Sequence, residues 1–161
     1  MNAEYIRRLT PEQFTEYALP YYEKAGVKTD HTDVLARILQ PRTEVFTQIP
    51  EMVDFLAALP DYDVELFTNK KSKTNPEVAA KVLDMAIAAL EALPDWEEQQ
   101  IHDTLLNLAA ANEMKNGTML WPVRIAMAGK QVTPGGAIEI AVLLGRDESL
   151  RRLKAGREKL N

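Results

Sequence analysis

Apolar residues recur along this chain at three- and four-residue spacing, and prolines, N-capping residues and glycines stand at the edges of nearly every such block. That punctuation admits helices and little else. Thr10-Pro11-Glu12-Gln13 joins an N-cap, a first-turn proline and a capping-box glutamine ahead of Phe14, Tyr17 and Ala18. Pro20 is expected to end or kink that helix. After the Gly26 turn, Asp30 is the expected cap of a second helix carrying Val34, Leu35, Ile38 and Leu39 and running into Pro41. Pro50 opens a third, with Met52, Val53, Leu56 and Leu59, which Pro60 closes.

The aromatic and acidic stretch DYDVELF then marks a subdomain border. Asn75-Pro76-Glu77 caps a long helix whose Val78, Val82, Leu83, Ala86, Ile87, Leu90 and Leu93 repeat at helical spacing. Asp95 and Glu98 form a capping box for the next, expected to end at Asn116-Gly117. Pro122 and Gly129 frame a short helix from Trp121 to Ala128, with strand as the alternative for VRIAMA. Another runs from about Gly135 to Gly145, and Asp147 caps the last. The fold class is therefore all-α, as two small helical subdomains, 1–64 and 65–161.

At 161 residues such a chain buries roughly two-thirds of its unfolded surface. No apolar run approaches the ~20 residues of a bilayer span, the N-terminus lacks a secretory h-region, and cysteine is absent. A cytoplasmic protein with no membrane partner is expected, as a monomer. The net charge of −5 conceals an asymmetry: residues 1–114 carry 10 Lys and Arg against 20 Asp and Glu, and residues 115–161 carry 9 against 4. Phosphate attraction therefore concentrates in the last third.

A catalytic constellation is not found. His31 and His102 stand far apart without metal-ligand spacing, only Ser72 and Ser149 offer a serine nucleophile, and acidic pairs such as Glu97/Glu98 do not face each other on a helix. No catalytic residue and no metal site is assigned. In NKKSKTN, Lys70, Lys71 and Lys73 read as a mobile basic loop able to touch phosphate; its resemblance to a synthetase ATP loop lacks the α/β fold such a loop needs.

The polar hinge between two apolar blocks in WPVRIAMAGKQVTPGGAIEIAVLLG contains Lys130, Thr133, Pro134, Gly135 and Gly136. It reads either as a plain left-handed turn or as an exposed helix N-terminus, with the Thr133 hydroxyl offered to a base edge or phosphate. Arg42, just after a proline, either pairs with an acid such as Glu44 or presents its fork to a base. Arg124 is either a buried structural cation or a ligand group. Arg151 and Arg152, with Lys154, Arg157 and Lys159, form either a solvated basic face or a phosphate-attracting one.

The order NAEYIRRLTPEQF, LARILQPRTEVFTQIPEMVDF, NKKSKTNPEVAAKVL and LWPVRIAMAGKQVTPGGAIEIAVLLGRDESLRRL resembles the C-terminal, anticodon-binding region of bacterial-type glutamyl-tRNA synthetases, which are class I aminoacyl-tRNA synthetases. The resemblance spans essentially the whole chain, and the last stretch is its most specific part. It implies two all-helical subdomains that read the anticodon of tRNA(Glu), with tRNA(Gln) as the alternative substrate and DNA not a partner. It also implies a separate catalytic part holding ATP and Mg, so that this stretch carries no cofactor and Met1 is the expected start of a fragment. Arg42 aligns with an arginine that contacts an anticodon base, and Thr133-Pro134-Gly135 with a turn lying along the anticodon. The family often has a bulky residue after that turn where Gly136 and Ala137 stand here, and Arg146 replaces a usual lysine. A helical protein-interaction module that has lost the tRNA surface is the alternative.

Overall fold

In the computed structural model, which describes residues 1–161, the apolar blocks form eight α-helices: α1 (Ala3–Arg8), α2 (Pro11–Ala25), α3 (Thr32–Leu39), α4 (Ile49–Ala57), α5 (Pro76–Glu91), α6 (Glu98–Ala111), α7 (Asn116–Ala128) and α8 (Ala137–Lys159). Short 3-10 turns occupy Gln40–Arg42, Phe46–Gln48 and Val64–Phe67. The fold is all-α, its β pairing confined to an isolated bridge between Asn69 and Thr74. Helix α2 packs on α3 and α4, and α1 rests on the Gln40–Arg42 turn; α5 to α8 pack among themselves, and α3 and α4 also meet α8. The expected border at 64/65 falls at the start of the third 3-10 turn, and one apolar cluster of 34 buried residues runs across it.

Local chemistry explains most boundaries. Thr10 and Gln13 close a reciprocal capping box at α2, and Asn75 accepts from the Val78 amide at α5. Gly129 ends α7 with φ +65°, where a Cβ would stand 3.0 Å from the Pro60 carbonyl oxygen. Gly145, at φ 81° and ψ 170°, breaks α8, as expected, and Asp147 makes no capping hydrogen bond beyond it.

Several expectations need correction. Pro20 does not end α2, because Phe14, Ala18 and Tyr22 bury one continuous face on both sides of it. His31, not Asp30, precedes α3, and its backbone N–H is held by the Thr29 hydroxyl at 3.0 Å. Glu97, without a side-chain bond, replaces the predicted Asp95 box at α6. Asn116-Gly117 does not close α6, which stops at Ala111, but opens α7. Pro122 accordingly lies inside α7, where burial of Met119, Val123 and Ile125 outweighs the lost N–H. VRIAMA is helix and not strand.

Arg152, expected to contact phosphate, is 1% exposed. Its guanidinium donates to the carbonyls of Phe55 (2.8 Å) and Met127 (2.7 Å), more weakly to Leu56 (3.4 Å), and to Glu148 Oε2 (2.6 Å). Those carbonyls lie in the last turns of α4 and α7 and have no helical partner, so one cation from α8 caps two helix C-termini. Three more cations of the segment reach back to the rest of the fold. Arg157 pairs with Asp84 at 2.8 Å, Lys154 with Glu91 at 3.4 Å, and Lys159 donates to the Tyr62 carbonyl.

Removing a partner from a buried ionic network costs about 3–5 kcal/mol, whereas exposed pairs contribute about 0–1. Arg152→Met should therefore lower the urea unfolding free energy by about 3–5 kcal/mol, and Arg151→Met by less than about 1. Hydrogen bonds from Arg151 and then Arg152, against the opposing effect of burial, hold the Glu148 carboxyl down at about 2. A depressed folded-state pKa gives stability that is present above the ordinary carboxylate range and lost as pH falls through the folded value. The difference in urea midpoint between the parent chain and Glu148→Gln should thus be largest above about pH 5 and shrink toward pH 2.

Candidate nucleic-acid interface

Pro41 cannot continue α3 with a normal hydrogen bond, so the chain tightens into the Gln40–Arg42 turn. Thr43, buried, donates its hydroxyl to the Leu39 carbonyl at 2.7 Å and fixes the exit from that turn. Arg42 donates one N–H to the Ile38 carbonyl at 2.8 Å and remains exposed. It makes no ion pair with Glu44, whose backbone N–H is held instead by Gln48 Oε1 at 3.1 Å. A guanidinium has five N–H donors, so most of Arg42's capacity is unused.

The hinge of the sequence reaches this point from the far end of the chain. Arg124 donates to the carbonyls of Lys130 (3.2 Å) and Gln131 (2.7 Å) and to Thr133 Oγ1 (3.1 Å), while its guanidinium lies over the Trp121 ring at 4.7 Å. Burial pulls its pKa down, but an arginine so placed stays charged near neutrality. Its structural reading therefore holds: it ties the 130–133 loop to α7. Gly135 lets the loop rest on α3, since a Cβ there would lie 3.2 Å from Ile38 Cδ1. The same Ile38 supplies the carbonyl that anchors Arg42.

The result is a cleft of about 490 Å³ lined by Arg42, Glu44, Gln48, Glu51, Met52, Lys130, Val132, Thr133 and Pro134. Four residues singled out in the sequence, Arg42, Lys130, Thr133 and Pro134, meet there across some 90 positions. Gly135 and Gly136 lie just behind the rim. A Cβ at Gly136 would meet nothing nearer than the Glu139 carboxylate at 3.7 Å, so its missing side chain leaves room beside the turn. Val132, 82% exposed, projects at the edge.

The chemistry of individual residues differs from expectation. The Thr133 hydroxyl is not free: it donates to the Gly135 carbonyl at 2.6 Å and accepts from Arg124. It shapes the turn and keeps at most one lone pair for a ligand. Lys130 pairs with Asp54 at 2.7 Å and lies 5.6 Å from the Phe55 ring centroid. Arg42 is thus the one cation of the cleft without an acidic partner.

Elsewhere, Arg151 is exposed but held by Glu148 through two bonds of 2.6 and 2.9 Å. Lys70, Lys71 and Lys73 lie on a separate turn outside the cleft. Arg146 donates to the Leu93 carbonyl at 2.7 Å and sits 5.5 Å from the Trp96 ring, whose Nε1–H donates to Ala141. The two histidines stay apart, and no group of three His, Asp or Glu side chains is arranged for a metal. Gln48, Glu51, Met52 and Val132 were not singled out from sequence. Of these only Val132, apolar within a polar hinge, carried a visible signal.

A guanidinium, two carboxylates, an amide and apolar Met52, Val132 and Pro134 on one open cleft suit a flat ligand with a mixed donor and acceptor edge, such as an unstacked base. Arg124→Met should loosen the 130–133 loop, lowering the backbone order parameters of those residues while leaving α5 and α6 unchanged. NMR relaxation checks this.

Comparison with known proteins agrees with this description. The family model described as "Anticodon binding domain" matches residues 13–157. The chain is 46% identical over 162 residues to a glutamate–tRNA ligase of Clostridium acetobutylicum and 47% identical over 164 residues to one of Clostridium novyi, with 99% of this chain covered in each case. It spans about a third of the length of these relatives, 33% and 34%. A solved glutamate tRNA ligase from Elizabethkingia meningosepticum superposes on 99% of this chain and 31% of its own with a TM-score of 0.81 at 18% identity, a likeness of fold.

Proposed function

From a chain that belongs to the anticodon-binding domain family, we propose the anticodon-reading part of a glutamate–tRNA ligase, in which the Arg42 cleft receives unpaired bases of the tRNA(Glu) anticodon loop. The observation that carries this reading is the uncommitted guanidinium of Arg42, held by one backbone bond in a cleft bordered by the 130–134 loop. Attachment of glutamate to tRNA with ATP and Mg belongs to the parts of such a ligase outside this stretch.

The division of labour follows from the bonds already made. Arg124, Thr133 and Gly135 shape the loop, and Arg42 is left to read an edge. Its free N–H groups match base carbonyl oxygens or ring nitrogens, while Glu44, Glu51 and Gln48 offer acceptors to exocyclic amino groups. Met52, Val132 and Pro134 give the base faces an apolar surface. Part of the acidic balance of the first two-thirds is offset by cations of the last third, with Asp54, Asp84 and Glu91 paired to Lys130, Arg157 and Lys154.

The test is a titration of the chain with tRNA(Glu) and an anticodon-swapped variant. The parent chain should prefer the native anticodon, and Arg42→Ala should reduce that preference by about 1–3 kcal/mol. Equal losses for both tRNAs would remove Arg42 from the reading role.

A further inference from the structure

The cations of this chain have unequal fates. Arg8, Arg37, Lys130, Arg151, Arg152, Lys154 and Arg157 are engaged by carboxylates within the protein. Lys70, Lys71, Lys73 and Lys115 are exposed, and none has a carboxylate within ion-pair distance. Glu113, two residues before Lys115, is the nearest acid along the chain and pairs with neither it nor the other three.

These four lysines stand on a built surface and not on a loose loop. Asn69 and Thr74 exchange backbone hydrogen bonds of 3.1 Å in both directions, and the Asn69 side chain accepts from the Ser72 amide at 2.7 Å. The buried Thr74 hydroxyl ties the turn to the Phe67 carbonyl at 2.6 Å. The turn is then fastened to the first turn of α7 by Thr118 Oγ1, which donates to the Ser72 carbonyl at 2.6 Å. Gly117 permits that approach, since a Cβ there would lie 3.2 Å from Ser72 Oγ. Lys115 immediately precedes α7, whose first turn holds no acid. Two segments whose lysines stand 42 to 45 residues apart thus present four positive charges together.

The location adds a second constraint. The cleft loop leaves the C-terminal end of α7 and the lysine patch sits at its N-terminal end. Thirteen residues at ~1.5 Å each separate the two by about 20 Å. The patch itself contains no aromatic side chain on which a base could stack and no carboxylate acceptor, so it suits phosphates and not base edges.

We infer that Lys70, Lys71, Lys73 and Lys115 form a second RNA surface, which holds the phosphate backbone of the paired stem while the Arg42 cleft reads the loop. The identity of the RNA rests on the anticodon reading above; the phosphate contact is measured separately from it. The cleft then supplies preference between sequences, and the patch supplies sequence-independent affinity with steep salt dependence.

The test uses the whole chain, a hairpin carrying the tRNA(Glu) anticodon loop on its stem, and the same loop sequence as an unpaired oligonucleotide, each titrated at several KCl concentrations. The combined variant K70Q/K71Q/K73Q/K115Q should bind the hairpin at least about tenfold more weakly at low salt. Its log–log salt slope should fall by about 1 for each lysine that contacts phosphate. Its preference for the native anticodon and its affinity for the unpaired oligonucleotide should stay within about twofold of the parent. K24Q/K28Q, which removes two exposed lysines at and just after the end of α2, should match the parent throughout.

Hairpin affinity and salt slope equal to the parent's would overturn the inference, as would equal losses on hairpin and unpaired RNA, or a parent chain that does not bind the hairpin. Absence of anticodon preference in a parent chain that does bind, with the predicted loss of slope in the variant, would count against the cleft and leave the patch standing.

Discussion

The meeting of α4, α7 and α8 hangs on the guanidinium of Arg152. The last turns of α4 and α7 end facing α8, and their carbonyls would otherwise be buried without partners. One cation, neutralised by Glu148 on its own helix, satisfies both ends at once. Because α4 and α7 end at this shared point, the chain leaving α7 emerges beside α4 and within reach of the turn after α3. Lys130 then pairs with Asp54 of α4, and Gly135 seats on Ile38 of α3. The cleft is the space left between the turn after α3, the start of α4 and that loop.

The same economy governs charge. A chain of net charge −5 is an unpromising partner for a polyanion, yet its cations are unevenly committed. Arg157 and Lys154 reach back to acids of α5, and Lys130 to α4. Among the cations left uncommitted are Arg42 in the cleft and the lysines at the opposite end of α7. On the proposed reading, attraction to RNA depends on where these few cations sit and hardly at all on the total.

Much of this was legible in the residues. Thr10 with Gln13, Asn75-Pro76 and Gly129 are local signals that act over three or four positions, and they mark boundaries correctly. Pro20 and Pro122 misled because proline's local penalty was outweighed by faces buried from elsewhere in the fold. Arg42 and Thr133 were singled out, but not their meeting, which depends on Ile38 and on three bonds from Arg124. The basic run Arg151-Arg152 could not be divided from sequence. Adjacent residues on a helix point in different directions, so one lies 1% exposed in the core while its neighbour faces solvent. Lys115 joins Lys70, Lys71 and Lys73 only through the contact between Thr118 and Ser72.

The central claim is that the space between Arg42 and the 130–134 loop is where an unpaired base is received. Backbone amide shifts recorded by NMR, as the chain is titrated with a hairpin carrying the tRNA(Glu) anticodon loop, test it most directly. The account predicts that the largest shifts fall at residues 42–48 and 130–136 and are reduced there when the loop bases are replaced by abasic sites. Shifts confined to α8 beyond Gly145, or shifts around the cleft that are indifferent to removal of the bases, would contradict it.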